Sequence, residues 1–298
     1  MKNLAEAQNY QSHNKLIFLH IPKAAGTTLS QILSRQYDSE EIFKLQPNPY
    51  QRIAYFQSLS EAEKNKFIYF QGHISFGFHE YLPEPYSYIT MIRNPIERVI
   101  SNYYYLLSRP SHFLHEEVTS EKMSLLKFAT CGKFVGMDNG QTRRIAGAKF
   151  ENTPGTLEVE FGKCTTELLT KAQENLIKYF PVVGVAERFD ESVVLMQQAF
   201  GWKNCYYVTA NITKNRPRVR EISAETIEAI KENNQLDLQL YDFSKKLLQE
   251  KIDKQGDDFT KQLKSFQKNN RVYGRFTRVK YWSRLKLSEL KQSLVKRS

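Results

Sequence analysis

Three cysteines in 298 residues, Cys131, Cys164 and Cys205, are too few and too scattered for a disulfide framework or a zinc site. No apolar run approaches the ~18–20 residues that a membrane span needs. The polar start, residues 1–14, lacks the apolar core of a secretory signal. From these absences we expect a reduced, cytoplasmic setting. Internal repeats and low-complexity tracts are missing too. So is G-x-x-x-x-G-K-S/T, the phosphate loop of nucleotide triphosphatases, in which Lys follows the second Gly and the Ser/Thr holds Mg²⁺. What is present is a composition 41% hydrophobic and 13% aromatic, that of a folded globular protein long enough for one large domain or two small ones. The abundance of Tyr and Phe suits a broad, partly polar cleft.

The net charge of +11 is unevenly placed. Residues 271–298 hold nine Lys/Arg against the single Glu289, a local charge of +8, which leaves only about +3 for the rest. The charge therefore says little about a central site. It describes a tail in which Val279, Trp282, Leu285, Leu287, Leu290 and Leu294 are interleaved with cations. Such a helix could lie on an anionic membrane surface, bind a polyanionic glycan, or simply pack on the domain; a nucleic-acid partner is not expected. We divide the chain into a polar N-terminal extension (1–14), a main domain (15–268) and a basic amphipathic tail (269–298).

The most informative stretch is Lys15-Leu-Ile-Phe-Leu-His-Ile-Pro-Lys-Ala-Ala-Gly-Thr-Thr28. Leu16 to Leu19 reads as a buried parallel strand. Pro22 ends it, and Lys23 to Thr28 reads as a tight loop opening a helix near Thr27. A strand, a small-residue loop and a helix N-terminus make an anion site: orphan backbone N–H groups face the ligand and the helix dipole favours negative charge. Lys23 adds a mobile charge, Thr27 and Thr28 add hydroxyl donors, and Gly26 admits close approach. An ordinary strand–helix turn with an exposed Lys is the plainer alternative.

Further along, strands are expected at Phe67–Phe70, Tyr86–Met91, Pro181–Val185 and Cys205–Val208. Helices are expected at Thr27–Arg35, in two pieces within Pro47–Lys66 (Ser60-Glu-Ala-Glu63 having capping-box spacing), from Pro95 to Leu107, near Glu121–Ala129, at 165–180, Glu191–Phe200, Ser223–Lys251 and Asp257–Phe266. Alternating strands and helices indicate an α/β fold, a central parallel sheet flanked by helices as a three-layer sandwich. Ligands of such sheets bind beyond the carboxyl ends of the strands. Three candidate segments follow strands directly: Lys23–Thr28, Gly72-His73, and Arg93 to Ser101.

His20-Ile-Pro-Lys-Ala-Ala-Gly-Thr-Thr28, Gly72-His73-Ile-Ser-Phe76 and Ile92-Arg93-Asn94-Pro95-Ile-Glu-Arg98-Val-Ile-Ser101-Asn-Tyr-Tyr-Tyr105 together resemble the carbohydrate sulfotransferases related to the heparan sulfate 2-O- and 6-O-enzymes. Weaker likenesses are Asn139 to Gly147, Val183 to Phe189, and Asn234-x-x-Asp237-x-x-x-Tyr241. The resemblance spans roughly residues 15 to 250. It implies a P-loop-like fold. It also implies that Lys23, Ala24, Ala25, Gly26, Thr27 and Thr28 hold the 5′-phosphosulfate of PAPS (3′-phosphoadenosine 5′-phosphosulfate), while Arg93 and Ser101 hold its 3′-phosphate. A late loop with Thr213, Lys214 and Arg216 approaches the donor in relatives. Arg93 suits bidentate phosphate binding, although an ion pair with Glu97 would also account for it.

The expected reaction is in-line transfer of the sulfuryl group to a carbohydrate or glycolipid hydroxyl, releasing adenosine 3′,5′-bisphosphate, with His73 as base, Lys23 neutralising the leaving phosphate, and no metal. His20 and His79 are lesser candidates, and Glu80 could orient a base or touch the acceptor. Arg98 and Glu97 read as surface or cofactor-neighbour residues. Lys133, Arg143, Arg144 and Tyr103–Tyr105 either line an acceptor groove or serve packing and surface. Animal relatives carry an N-terminal membrane anchor; without one, the chain looks like a soluble bacterial member. The competing readings are an ATP-dependent phosphotransferase and a non-catalytic glycan-binding protein on the same fold.

Overall fold

The computed structural model describes residues 15–120, 122–148, 159–210 and 216–295, with side chains described as far as Thr277. The extension 1–14, Thr213, Lys214 and the side chains of the last part of the tail lie outside the described residues.

In chain order the elements are β1 (Lys15–Leu19), α1 (Gly26–Leu33), β2 (Ile42–Lys44), α2 (Pro49–Ser58), α3 (Glu61–Lys64), β3 (Tyr69–Gly72), β4 (Tyr86–Ile92) and α4 (Pro95–Leu107). They continue as α5 (His115–Ser120), α6 (Leu125–Thr130), α7 (Gly140–Ala146), α8 (Thr166–Tyr179), β5 (Val182–Val185), α9 (Phe189–Phe200), α10 (Ala224–Glu232), α11 (Gln235–Asp253) and α12 (Asp257–Val295). The five strands pair in the order β2-β3-β1-β4-β5, every pairing parallel. From the central β1 the chain moves outward to β2 and β3 on one side, then to β4 and β5 on the other. The carboxyl end of β1 is therefore a topological switch point, where such sheets open a crevice.

β1 is buried along its whole length, as a continuous Leu-Ile-Phe-Leu run demands. Lys15 fits there because its ammonium donates to the Phe67 carbonyl at 2.9 Å. The capping box forms as its spacing predicts: the Ser60 hydroxyl accepts from the Glu63 N–H, and the Glu63 carboxylate accepts from the Ser60 N–H at 2.9 Å. Asn94 caps α4 through bonds from the Ile96 and Glu97 N–H groups, and Pro95 takes the first helical position.

One expected strand needs correction, and one strand was not expected. Cys205–Val208 is not a strand; Tyr207 instead donates its N–H to Asn270 of α12 at 2.7 Å, and Cys205 is buried beneath it. The edge position goes to the three-residue β2, Ile-Phe-Lys, in a stretch to which the sequence assigns no element. α12 also runs unbroken through 268 and 269, so secondary structure does not mark the domain–tail boundary.

The main core surrounds the sheet. A second cluster joins α4 (Val99, Ile100, Tyr103, Leu106) to α6 (Leu125, Phe128) and Ile230 of α10. This cluster fixes the outer face of α4, so that its opposite face looks into the crevice. Among the described residues no helix is long and apolar enough to cross a membrane.

Candidate active site

A cleft of about 1100 Å³ opens at the carboxyl ends of β1, β3, β4 and β5. Its wall includes Lys23, Ala25, Gly26, Thr27 and Thr28 after β1, His73 after β3, Arg93 and Ser101 from β4 and α4, and Glu187 after β5. Of the residues expected to bind the donor or act in catalysis, Lys23–Thr28, His73, Arg93 and Ser101, Ala24 alone is off the wall, with its side chain fully buried.

The loop owes its shape to two left-handed residues, Lys23 (φ 66°) and Ala25 (φ 61°). Gly26 has a different reason to be glycine. A Cβ there would lie 2.1 Å from His20 Cδ2, so the glycine makes room for a histidine ring. His20 stacks on Phe18 with centroids 5.1 Å apart, and its N–H donates to the Gly72 carbonyl at 3.0 Å. Its ring lies 4.3 Å from that of His73. The Thr28 hydroxyl accepts from the Ala210 N–H at 3.1 Å, tying the loop to the late segment.

His73 Nδ1 lies 2.8 Å from the His20 carbonyl oxygen. A carbonyl only accepts, so Nδ1 carries the proton and Nε2 keeps the lone pair. Burial lowers the His73 pKa to about 4, with Arg144 and Lys23 pushing the same way against the bond to His20. The ring is therefore neutral at physiological pH. His20 is also held well below its ordinary value, by burial first and then by His73, Arg144 and Lys23. His79, the other candidate base, instead bonds the Tyr88 hydroxyl through Nδ1 at 3.0 Å, inside an aromatic cluster with Phe76 and Tyr179.

Lys23 is less mobile than its sequence suggests. Its ammonium sits 3.6 Å from the Tyr105 ring centroid, a cation–π seat. Burial and the nearby Arg93, Arg109 and Arg216 bring its pKa down to about 8. Arg93, Glu97, Ser101 and Tyr105 follow one another at intervals of four, which places them along one face of α4 and the turn before it. Tyr103, by contrast, packs in the second cluster and donates its hydroxyl to the Met123 carbonyl at 2.7 Å. The three tyrosines thus divide between cleft and core.

The Arg93 backbone is gripped by a buried amide. Gln141 Oε1 accepts from the Arg93 N–H at 2.9 Å, and Gln141 Nε2 donates to the Arg93 carbonyl at 2.8 Å. Gln141 is itself placed by two helices that cap one another. Asp237 of α11 accepts from the N–H groups of Gln141 and Thr142, while Asn139 accepts from those of Leu236 and Asp237. The weakly matching segments around Asn139 and Asp237 are therefore the scaffold of Arg93. Arg98 belongs to it as well. It is 3% exposed rather than a surface residue, 3.6 Å from Asp237, and donates to the Gly136 carbonyl.

The Arg93 guanidinium donates to the Lys23 carbonyl at 2.9 Å and to Glu97 at 3.1 Å, so the expected ion pair exists. Arg216 donates to the same Glu97 oxygen. Arg144 and Lys133 reach the cleft. Arg143 does not: it is fully buried and bonded to the Asp138 carboxylate and to the carbonyls of Asp138, Val159 and Glu160.

As a donor set this wall is cationic and hydroxyl-rich, with two clusters: the loop with Lys23, Thr27 and Thr28, and the pair Arg93 and Arg216 with Ser101. Buried Nε groups of Arg98 and Arg216 have no hydrogen-bond partner among the described residues. Lysine and arginine groups held below their ordinary pKa, first by burial and then by one another, favour an anionic ligand. No group of three or more His, Cys, Asp or Glu side chains among the described residues is set to hold a metal ion.

Comparison with known proteins agrees with this chemistry. The profile of the sulfotransferase family matches residues 8–244. Human heparan-sulfate 6-O-sulfotransferase 1 is 24% identical over 277 residues, covering 79% of this chain and 66% of that protein, a little under two thirds of its length. With a parallel sheet opening onto a cationic cleft and a family match over most of its length, the chain belongs to the sulfotransferase family.

Proposed function

We propose that the protein transfers the sulfuryl group of PAPS to a carbohydrate hydroxyl. The observation that carries this reading is His73: a neutral imidazole whose proton is fixed on Nδ1 by the His20 carbonyl, lining the same cleft as Lys23 and Arg93. The donor set fits a ligand with two separated phosphate-like groups. Lys23, Thr27, Thr28 and the loop amides suit the 5′-phosphosulfate, and Arg93, Ser101 and Arg216 suit the 3′-phosphate.

His73 Nε2 takes the acceptor hydroxyl proton as the acceptor oxygen bonds to sulfur and the bond from sulfur to the 5′-phosphate oxygen breaks. The electron pair leaves with that oxygen, where Lys23 and the loop amides offset the charge. The products are the sulfate ester and adenosine 3′,5′-bisphosphate. Tyr50, His112, Phe113 and Phe134 on the cleft wall offer apolar faces to a sugar, and Lys133 and Arg144 offer charge. The name of the human relative, a heparan-sulfate enzyme, also favours a carbohydrate acceptor.

Turnover of labelled PAPS against a panel of sugars and glycolipids tests the reading. Metal-independent transfer to a saccharide supports it. Transfer from ATP alone, or glycan binding with no affinity for adenosine 3′,5′-bisphosphate, replaces it with one of the two competing functions.

The basic tail is proposed as a peripheral contact for anionic membrane. Val272 and Phe276 are exposed on α12, and apolar residues continue among the cations that follow in sequence. Salt-sensitive pelleting with vesicles rich in anionic lipid is the expected result, and absence of binding at low salt rejects it.

A further inference from the structure

Arg93 and Arg216 do not stand ready for a phosphate; they are already engaged by a carboxylate. One oxygen of Glu97, Oε2, accepts from the guanidinium of Arg93 at 3.1 Å and from that of Arg216. We propose that Glu97 is a built-in competitor for the 3′-phosphate of the nucleotide, setting how tightly the donor is held and how readily the bisphosphate product leaves. The inference rests on the reading of this cleft as a PAPS site.

Three observations point the same way. First, Glu97 is more exposed than its partners. Its side chain is 32% exposed, against 21% for Arg93 and 16% for Arg216, so it can turn to solvent while they stay. Second, the arginines are underused. Each guanidinium has five N–H donors, yet the two share one carboxylate oxygen, Arg93 adds the Lys23 carbonyl, and Nε of Arg216 is buried with no partner among the described residues. A phosphate offers three oxygens to that fork. Third, Glu187 behaves differently from Glu97. It lies 4.0 Å from Arg93 Nε, but its carboxylate accepts from the Asn94 N–H at 3.1 Å and so stays anchored at the start of α4. Of the two carboxylates flanking Arg93, only Glu97 shares its oxygen between the two guanidiniums.

A phosphate carries a charge of roughly −1.5 to −2 at neutral pH, against −1 for the carboxylate. The phosphate therefore wins the arginines, and like-charge repulsion moves Glu97 aside. After transfer, the returning carboxylate lowers the cost of parting from the product. A prop that merely pre-orders the arginines would have the opposite sign on substitution, and that difference makes the idea testable.

Glu97→Gln and Glu97→Ala are titrated by calorimetry with adenosine 3′,5′-bisphosphate and with adenosine 5′-phosphate, after their melting temperatures are checked against the parent. Both variants are expected to bind the bisphosphate about five- to tenfold more tightly, with little change for the 5′-monophosphate. In steady state the KM for PAPS falls while kcat holds or falls, the split expected when product leaves more slowly. Unchanged or weaker bisphosphate binding in both variants overturns the proposal and leaves the proposed function standing. A parent protein that does not bind the bisphosphate overturns the proposed function and this inference with it.

Discussion

Arg143 and Arg144 are neighbours on α7, yet they belong to two different kinds of environment. Arg143 points into the protein, where the Asp138 carboxylate and three backbone carbonyls take up its donors and Asp138 also accepts from the Gly162 N–H. Arg144 reaches the cleft, where burial and Arg98 lower its pKa to about 10, opposed by Tyr50. Charge and residue type are the same, and what differs is the setting: a carboxylate-and-carbonyl cage for Arg143, the wall of a cleft for Arg144. The Arg143 cage is a finished ion-pair network that holds α7 to the segment after it. The cleft is the reverse: Lys23, Arg93 and Arg144 are held below their ordinary pKa first by burial and then by neighbouring cations, and an anion offsets both effects.

Substitution of the two arginines separates these environments most sharply. Arg143→Met leaves the Asp138 carboxylate buried without its cation and should cost about 3–5 kcal/mol of stability in denaturant unfolding. Arg144→Met should weaken anion binding and cost less stability than Arg143→Met, because no buried carboxylate is seen to depend on Arg144 among the described residues. Equal losses from both would erase the distinction.

Next in size is His73→Ala. We expect turnover to fall by about 10²–10⁴ while adenosine bisphosphate still binds and the melting temperature holds. Retained activity would move the base elsewhere.

The pH profile gives the smaller effect. His73, lowered to about 4, is an available base above that pH, so kcat/KM should drop as pH falls through about 4. Lys23, lowered to about 8, loses its charge above that pH, so kcat/KM should drop again as pH rises through about 8. Because kcat/KM reports the free enzyme and a bound anion favours both charged forms, the kcat profile should be displaced to higher pH. An alkaline limb that stays put in Lys23→Arg would exclude Lys23 as its source.

The strands that read most clearly in the sequence were those whose burial is continuous, β1, β4 and β5, and the bounds of α4 follow directly from Asn94, Pro95 and the apolar spacing after them. Convergence of Lys23, His73 and Arg93 was legible for a topological reason: each follows a parallel strand. β2 was not legible because three residues carry no periodicity. The apolar Cys205–Val208 run suggested a strand because burial under α12 and burial in a sheet select the same residues. The Asp237–Gln141–Arg93 chain was hidden by distance, since Asp237 bonds residues more than ninety positions away. Asn139 and Asp237 stand in the sequence only as weak likenesses to the family, with nothing there to pair them. The seat of Lys23 on Tyr105 was not legible, because nothing in the sequence pairs that face of α4 with the loop.

Gly26 has a consequence for how such a site can change over time. Its missing side chain is the space occupied by His20, and His20 in turn holds His73 through its carbonyl and touches its ring. The anion loop and the base therefore draw on one small reserve of volume. A methyl added to the loop does not stay in the loop; it displaces the imidazole stack. Sequence variation that retunes the donor grip must then proceed through Arg93, Glu97 and Arg216, where side chains border open space, because the glycine leaves no room to evolve one half of the chemistry without disturbing the other.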